Sequence, residues 1–382
     1  MSRSPGIPRL LRRLNDRAAL ELLLGDGPLT RAELGERTGL SKVTAGQLLA
    51  RLEERGLVEV AGERAGGRGP HAALYAVVAS SAYVAGLVVL PDSLIVGVAD
   101  ITGRTVVEIT LNPSDGGDLV KAVHEAVRRA CDTANVSLSR LRAFVIGTRG
   151  VVDPGSGDVR WSIDLPAWHV GVLASLRETL GASVTIENDV NLVALAEHAY
   201  GAAAGHDDFV VIWAGVGQGL GVMLGGRLHR GISGGAGEIG WLPVPGEPLP
   251  IDVAEPQSGS FQRLVGNAAL RDLAREHGVT GNSVPDLVRS GHEGYLDAVA
   301  ARMAVGAAAV TVVLDPGLIV LSGEVGRAGG ERLAAKVQEA VARVCPSRPT
   351  VLASRVSGNP VLRGALVAAL EQAREQVFSD TV

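Results

Sequence analysis

Two short helical patterns joined by a glycine turn constrain the fold of the N-terminal segment more than any other feature. Thr30, followed three residues later by Glu33, forms a capping box for a helix over 31–37, and Ser41 is suited to cap the next helix. Gly39 supplies the turn between them. Two helices separated by a three- to four-residue turn that contains glycine predict a helix-turn-helix.

Apolar residues at helical spacing indicate which faces of these helices turn inward. Leucines between positions 10 and 22 predict a preceding helix, which the run Gly25-Asp26-Gly27-Pro28 ends. The helix that begins after Ser41 runs to about residue 55. The side chains that we expect to face inward are Ala32, Leu34, Leu40, Val43, Leu48, Leu49 and Leu52.

A strand, a Gly- and Arg-rich loop and a second strand follow the helices. The strands are predicted over 56–60 and 73–77, and the loop over 62–70 carries Arg64 and Arg68. A hairpin with a basic tip after a helix-turn-helix is a wing, whose arginines reach a minor groove or lie along the phosphates. The segment is therefore predicted to be a winged helix-turn-helix.

Polar side chains near the start of the third helix stand where a recognition helix meets base edges. Lys42 and Gln47 carry hydrogen-bond donors, Thr44 offers a methyl or a hydroxyl, and we expect Ala45 beside them to be exposed. The predicted DNA-contacting residues are Arg31, Ser41, Lys42, Thr44, Gln47, Arg51, Arg64 and Arg68.

The charge of the chain is distributed unevenly. Residues 1–82 hold twelve Lys and Arg against nine Asp and Glu, a net charge of +3, whereas the whole chain carries −5 and the remainder therefore −8. A basic front joined to an acidic body indicates a polyanionic partner such as double-stranded DNA. A helical bundle used only for packing or dimerisation is the alternative for this segment.

One uncharged stretch, over 72–90, reaches the minimum length of a membrane-spanning helix. Serines and a glycine interrupt it before Pro91 ends it, so we interpret it as two buried strands around a short joint and expect no membrane partner. Cys131 and Cys345 are too few for a disulfide framework or a multi-thiolate metal site. No secretory leader is recognisable, so we expect the cytoplasm.

From residue 83 onward, strands and helices alternate in two successive series. Strands are predicted at 83–90, 94–99, 105–111, 141–147, 209–214, 220–224 and 318–322, and helices at 117–134 and 296–314. Two α/β halves that each begin with a strand meander predict a bilobal α/β body with a ligand cleft between the lobes. The expected domains are the winged helix-turn-helix over 1–80, a first lobe over 81–200 completed by a C-terminal helix over about 360–382, and a second lobe over 201–359.

A series of motifs in the body follows a recognisable order. They are Val145-Ile146-Gly147 with Gly150-Val151-Val152-Asp153, then Leu165-Pro166-Ala167-Trp168, and the runs 186–191, 215–221, 235–240 and 318–323. On these residues the chain resembles the ROK family (repressors, open reading frames and kinases), in its branch of sugar-responsive transcriptional repressors. The resemblance covers nearly the whole chain and implies an actin-like sugar-kinase body behind the winged helix.

The resemblance also implies a sugar site. It assigns ligand contact to Asn188, Asp189 and Glu238, with Trp241 where the family has a histidine and Gln262 where it has a glutamate. In a kinase of this type the carboxylate matching Asp189 is the base that activates the sugar hydroxyl, so here Asp189 is a vestigial base. From the residues alone, Asn188 can donate to and accept from a polyol, and Asp189 can either accept a hydroxyl proton or cap the following helix.

Two Gly-rich runs leave similar alternatives open. Glu238 can reach a ligand or terminate its loop, and the run 215–221 can either cradle phosphate or form a tight turn.

Two departures from the family pattern argue against catalysis and metal binding. Active kinases of the family open with Asp-x-Gly-Gly-Thr, whereas the run 88–92 reads Val-Val-Leu-Pro-Asp, whose side chains prevent close approach of a triphosphate. The four zinc ligands of the family correspond here to Trp241, Val253, Glu255 and Ser260, too few for tetrahedral zinc. We expect no phosphoryl transfer, no metal and no cofactor.

The sequence therefore predicts a ROK-type DNA-binding transcriptional regulator, expected to be a repressor and not an enzyme. The resemblance implies a homodimer or dimer of dimers on a pseudo-palindromic double-stranded operator, with a sugar or sugar phosphate as candidate effector. Two rival functions stay open: an active sugar kinase with a fused DNA-binding domain, and an interaction scaffold whose basic front contacts a protein.

Overall fold

The computed structural model describes residues 8–64, 71–112, 118–162, 171–181, 183–250, 252 and 255–379. Its helices are α1 (Pro8–Asp26), α2 (Arg31–Thr38), α3 (Lys42–Glu54), α4 (Leu119–Thr133), α5 (Val172–Leu180), α6 (Asp189–Tyr200), α7 (Ser260–Val265), α8 (Asn267–Glu276), α9 (Val284–Arg289), α10 (Glu293–Leu314), α11 (Gly323–Val344) and α12 (Pro360–Ser379). Its strands are β1 (Leu29–Thr30), β2 (Val58–Arg64), β3 (Ala72–Val77), β4 (Tyr83–Val89), β5 (Leu94–Asp100), β6 (Thr105–Leu111), β7 (Leu141–Thr148), β8 (Val151–Val152), β9 (Val159–Trp161), β10 (Ser183–Asn188), β11 (Phe209–Ala214), β12 (Gln218–Leu224), β13 (Arg227–Leu228), β14 (Leu318–Ser322) and β15 (Thr350–Ala353).

The N-terminal segment folds as a helix-turn-helix with a wing. Thr30 Oγ1 accepts a hydrogen bond from Glu33 N at 3.3 Å, and Glu33 Oε2 accepts one from Thr30 N at 2.9 Å, which confirms the predicted capping box. Gly39 adopts a left-handed conformation (φ 69°) between α2 and α3, and Ser41 Oγ caps α3 by accepting from Thr44 N. The wing strands complete an antiparallel sheet of order β1-β3-β2.

Some side chains of this segment lie on other faces than the spacing predicts. Ala32 is exposed, Val43 is 70% exposed, and Ala45 is buried, so these three expectations are wrong. Val43 precedes the inward stripe of α3 by two residues, which turns it to the opposite side of the helix. The stripe has the spacing i, i+3, i+4 and i+7 and consists of Ala45, Leu48, Leu49 and Leu52.

The body contains two five-stranded sheets. The first has the order β10-β7-β4-β5-β6, with β4 antiparallel to β5 and parallel to β7. Helices α4 and α5 cover one of its faces, and α6 and α12 cover the other. The C-terminal helix therefore returns to the sheet that the chain builds first, and β10 lies at the edge of that sheet.

The second sheet has the order β13-β12-β11-β14-β15, with β11 antiparallel to β12 and parallel to β14. Helices α7 to α11 surround a core that includes Phe261 and Tyr295. Helix α6 packs against α12 on one side and against β12 on the other, so it lies between the two sheets. The predicted strands and helices of the body are confirmed, with small shifts at their ends.

Two stretches of the chain have the length and the apolar composition that a membrane-spanning segment requires. The uncharged stretch 72–90 forms β3 and β4, as interpreted from the sequence, although β3 is half-exposed instead of buried. In the part of the chain that the structure describes, α10 is the one helix long and apolar enough to cross a bilayer by length and composition, and half of its apolar window is buried inside the fold.

The two ends of the chain pack on one another. Helix α1 lies against α12, and Leu20 and Leu23 belong to the same continuous core as Leu370 and Phe378. The winged helix and the first sheet are therefore joined through apolar contacts as well as through the short connection after β3.

Candidate functional site

The outer face of α3 presents a set of polar side chains to solvent. Lys42, Thr44 and Gln47 are exposed, and Ser41 Oγ and Thr44 Oγ1 are 2.9 Å apart in a hydrogen bond at the helix start. Val43 lies exposed among them. Sequence reasoning missed Val43 because a valine in a helical pattern is normally assigned to the core. Its exposed methyl groups can contact a thymine methyl in a major groove.

The predicted arginines of the winged helix differ in how strongly they are held within the protein. Arg51 Nη2 lies 2.6 Å from Asp16 Oδ1, whose side chain is only 1% exposed. Arg64 pairs with Glu33, and hydrogen bonds from Thr30 and Arg64 lower the pKa of that carboxyl to about 2. Arg51 therefore holds α3 against α1, whereas Arg64 lies exposed on the wing.

Two further positions of the predicted set remain. Arg31 is exposed at the start of α2, and its side chain passes Gly46 of α3, 3.5 Å from where a Cβ would stand. Arg68 lies outside the described residues.

A cavity of about 100 Å³ lies between the two sheets at the start of α6. Asn188, Asp189 and Glu238 all line it, so the structure brings three of the five predicted ligand residues together. Polar and aromatic side chains that sequence reasoning missed also line it, namely Arg149, Trp213, Gln218 and Gln257.

The turn from β10 into α6 is fixed by hydrogen bonds. Asn188 Oδ1 accepts from the backbone N–H groups of Val190 and Asn191 at 2.9 and 3.1 Å, and its Nδ2 donates to Gly150 O at 3.0 Å. Asn188, and not Asp189, is therefore the cap of α6, and Asp189 is the first residue of the helix. Most of the hydrogen-bonding capacity of Asn188 is used inside the protein.

A buried carboxylate supports this turn from behind. Glu187 Oε1 accepts from Asn188 N at 3.0 Å and from Asn191 Nδ2 at 2.9 Å. Its Oε2 lies 2.6 Å from both Nε and Nη2 of Arg230. Glu187 thus orients the residues on either side of Asp189 without lining the cavity itself.

Glu238 faces Asp189 across the cavity. Burial first, and the negative charge of Asp189 second, raise the pKa of Glu238 to about 7. Its loop position is built on Gly237, which has φ 104° and lies where a Cβ would strike the carbonyl oxygen of Leu220. At neutral pH a large share of Glu238 is uncharged and can donate a hydrogen bond.

Among the cavity residues that were not predicted from the sequence, Gln218 has a hydrogen-bond acceptor that the described residues leave unused. It is 8% exposed, its Nε2 donates to Gly215 O at 3.2 Å, and its buried Oε1 accepts no hydrogen bond from the described residues. A ligand hydroxyl in the cavity can supply that donor. The sequence feature that could have indicated it is the amide side chain of Gln218, which stands in the run 215–221 among glycines, a valine and a leucine.

Trp241 and Gln262 do not line this cavity. Trp241 lies along an apolar groove between the 235–242 loop and α10. Gln262 is buried, and its Nε2 donates to Val216 O at 2.9 Å and to Gln257 Oε1 at 2.8 Å. Gln262 therefore contacts two residues that line the cavity, Val216 and Gln257, without lining it itself.

Two candidate phosphate-binding loops are the turn after β4 and the run 215–221, and the structure gives their residues other roles. Val88 is 2% exposed inside β4, and Leu90 N donates to Ser93 O at 2.9 Å in the tight turn that follows. Gly219 and Gly221 lie beneath Val190 and Ala194 of α6, which accounts for two glycines of the run 215–221 by helix packing.

The residues at the positions that match the zinc ligands differ in burial and in hydrogen bonding. Ser260 is fully buried and donates through Oγ to Pro248 O at 2.7 Å, Glu255 is exposed, and Val253 lies outside the described residues. Among the residues that were described, no three His, Cys, Asp or Glu side chains are grouped so that they can hold a metal ion.

Comparison with known proteins finds relatives over most of the chain. The DNA-binding transcriptional dual regulator NagC of Escherichia coli K12 is 25% identical over 263 residues, which are 68% of this chain and 64% of that protein. The xylose repressor of Bacillus subtilis is 27% identical over 246 residues, 61% of each chain. The chain thus spans less than two thirds of the length of these curated relatives.

Solved structures agree in fold. A ROK family transcriptional regulator, described as a homolog of the E. coli MLC protein, superposes with a TM-score of 0.77 at 16% identity and covers 97% of this chain and 100% of its own. The ROK hexokinase of Thermus thermophilus superposes with a TM-score of 0.62 at 30% identity, covering 76% of this chain and 98% of its own.

Two families match different parts of the chain, one at the N-terminal segment and one at the body. Residues 14–69, which span the helix-turn-helix, match the MarR family. Residues 94–372, most of the body, match the ROK family, and the chain belongs to that family.

Proposed function

We propose that this protein is a DNA-binding transcriptional regulator, acting as a repressor, whose body senses a small ligand instead of catalysing a reaction. The observation that carries the proposal is the exposed polar face of α3 at Lys42, Thr44 and Gln47, held in a capped helix-turn-helix with a wing. The names of the relatives, a transcriptional dual regulator and a xylose repressor, support it. We propose the cytoplasm as its location and residues 80 and 200 as the domain boundaries.

The DNA function is tested by capturing genomic fragments with the purified full chain and sequencing them. The enriched site is then used in gel shifts. We expect Gln47→Ala to relax preference at one operator position at a cost of about 1–3 kcal/mol. Arg68→Ala, in the predicted wing loop, should weaken all duplexes alike and reduce the salt dependence of binding. Arg129→Ala, an exposed arginine on α4, is the matched control.

An absence of duplex binding at any salt concentration would support the scaffold alternative instead. Equal losses on every sequence from Gln47→Ala would remove that residue from the base-reading set.

We propose that the cavity at the start of α6 takes a sugar or sugar phosphate. Asp189, Glu238 and Gln218 offer two carboxyl groups and an amide oxygen, which suit several hydroxyls of one ligand. Asp189→Asn should abolish the effect of the sugar on operator affinity in gel shifts with neutral sugars, amino sugars and their phosphates. If none of these sugars changes operator affinity in the wild-type protein, sugar sensing through this cavity is wrong.

Loss of kinase activity is part of the proposal, with no cofactor required. Val88 and the turn after β4 leave no glycine-lined approach for a triphosphate. A coupled ATPase assay with a hexose panel tests this, and hexose-stimulated ATP hydrolysis that disappears in Asp189→Asn would establish the kinase alternative.

We propose a homodimer on a pseudo-palindromic operator, because one helix-turn-helix reads only one half-site. A second copy would cover the apolar groove of about 490 Å³ beside Trp241 and the C-terminal part of α10, where Val312 and Val313 are 68% and 79% exposed. Sedimentation should give a dimer for the wild-type protein and a monomer for Val313→Glu. A dimer that survives Val313→Glu would place the interface elsewhere.

A further inference from the structure

A second cavity, of about 480 Å³, lies at the free edge of the first sheet. It extends around β10 from α5 on one face to α12 on the other, and the β8–β9 hairpin closes one side. Its polar lining consists of Asp153, Ser156, Arg177, Thr185, Glu187, Arg230 and Gln372. Among the described residues, it shares no lining residue with the cavity at the start of α6, and its volume falls within the range of small-molecule pockets.

The charges of the side chains that line this edge cavity balance, and Arg160, which lies 3.6 Å from Asp153 outside the lining, adds one exposed cation. Arg230 is paired with Glu187, and Asp153 accepts hydrogen bonds from the backbone of Gly155 and Ser156. Arg177 supplies the second cation. With two positive and two negative side chains in the lining, a neutral ligand is favoured over a strongly charged one.

Two groups of the lining have hydrogen-bonding capacity to spare. Arg177 Nε donates to Val184 O at 3.0 Å, while its terminal nitrogens have no partner among the described residues. Gln372 Nε2 donates to Thr185 Oγ1 at 3.1 Å, while its buried Oε1 accepts nothing from the described residues. A ligand that both donates and accepts would satisfy these two side chains, after a rotation of the Gln372 amide.

Gln372 also connects the cavity to the winged helix. It lies on α12, little more than one turn before Val377, whose carbonyl oxygen accepts from Arg55 Nη2 at 2.9 Å. Arg55 is the C-cap of α3. A ligand that shifts the last turns of α12 therefore acts directly on the end of the recognition helix.

We propose that the edge cavity is a second ligand site, for a neutral polyhydroxylated molecule of mono- or disaccharide size, and that α12 transmits its occupancy to α3. The binding part is independent of the function proposed for the cavity at Asp189. The transmission from α12 to α3 is tested by hydrogen exchange of the protein with bound sugar, so the test needs no operator DNA.

Isothermal titration of the full chain with glucose, xylose, N-acetylglucosamine and sucrose tests the site. For at least one sugar, Gln372→Leu and Arg177→Met should each weaken binding by about tenfold, whereas Asp189→Asn leaves it within about twofold. The matched control is Arg129→Met, an exposed arginine on α4 in the same lobe. Arg177 is exposed, so its variant keeps the test decisive if Gln372→Leu fails to fold.

Hydrogen exchange with the bound sugar tests the transmission. Protection should change in the last turns of α12 and at the end of α3, and the change at α3 should vanish in Arg55→Met. The proposal is overturned if no sugar binds the Asp189→Asn protein, if affinity is indifferent to both Gln372 and Arg177, or if α3 does not respond. Sugar binding that only Asp189→Asn removes would support the cavity at α6 and refute this one.

Discussion

Arg55, at the end of the recognition helix α3, donates a hydrogen bond through Nη2 to the carbonyl oxygen of Val377, 322 residues further along the chain. Val377 belongs to the last turns of α12. At the other end Asn359, the residue before α12 begins at Pro360, accepts through Oδ1 from Val361 N and Leu362 N. Val361 in turn packs on Gly147 of β7. One helix thus extends from the first sheet of the body to the part of the chain that we propose reads DNA.

Replacing Arg55 by methionine should loosen α3 without unfolding the body. The lost hydrogen bond from a charged donor is worth about 1–2 kcal/mol, which corresponds to a roughly 5- to 30-fold loss of amide protection in α3. Hydrogen exchange of the wild-type protein and of Arg55→Met measures this. Arg37→Met removes an exposed pair with Asp26 and should leave protection unchanged. Equal protection of α3 in all three proteins would contradict the link.

The Arg51–Asp16 pair should matter more for stability than its place in the predicted DNA-contacting set suggests. Arg51→Met leaves the buried Asp16 carboxylate without its cation, which we expect to cost up to about 3 kcal/mol, reduced because Arg51 is 34% exposed. Urea unfolding of the two proteins gives the difference. The double variant Asp16→Leu/Arg51→Met should recover most of the loss, and a double variant as unstable as Arg51→Met would show that the unpaired charge is not the cause.

Local features of the fold could be predicted from the sequence because neighbouring residues determine them. Thr30 and Glu33 form their capping box within one helical turn. The apolar runs of β7 and β14 are short and buried, which is typical of core strands. The phase of α3 was harder, since Val43 and Ala45 are both apolar and only contact with α1 and α2 selects Ala45 for the core.

The site was less accessible to prediction because long-range contacts build it. Asn188 and Asp189 are both good helix caps, and the choice depends on where β10 ends, which pairing of Asn188 with Thr148 of β7 sets. Gln218 and Arg149 reach the same cavity from different sheets. The pairing of Arg51 with Asp16 depends on the packing of α3 on α1, which no local pattern reports.

Gly219 should be required for the position of α6. A Cβ at this residue would lie 2.6 Å from Val190 Cγ2, one residue after Asp189. Gly219→Ala should therefore destabilise the protein by about 1–3 kcal/mol through overpacking. Removing the opposing methyl groups in Gly219→Ala/Val190→Ala should restore part of the loss, as measured by urea unfolding. If the two substitutions are simply additive, close packing at this point is not what the glycine provides.

Glu238 should make stability depend on pH. In the folded protein its pKa is about 7, against an ordinary value of 4.5, so between these pH values the folded state holds more protons than the unfolded state. The free energy of unfolding should then fall as pH rises from about 4.5 to about 7, by at most about 3 kcal/mol, and level off above that.

The difference between the wild-type protein and Glu238→Gln isolates this contribution from that of other titrating groups, because glutamine keeps the shape of the side chain and does not titrate. Urea unfolding at intervals from pH 4.5 to 8.5 should give a wild-type free energy that declines relative to that of Glu238→Gln, most steeply near pH 6, about midway between the two pKa values. Asp189→Asn should flatten the decline in part, since the charge of Asp189 is the second cause of the raised pKa. Parallel curves for the wild type and Glu238→Gln would mean that Glu238 ionises in the folded protein as it does in water, and that burial at the cavity does not favour its neutral form.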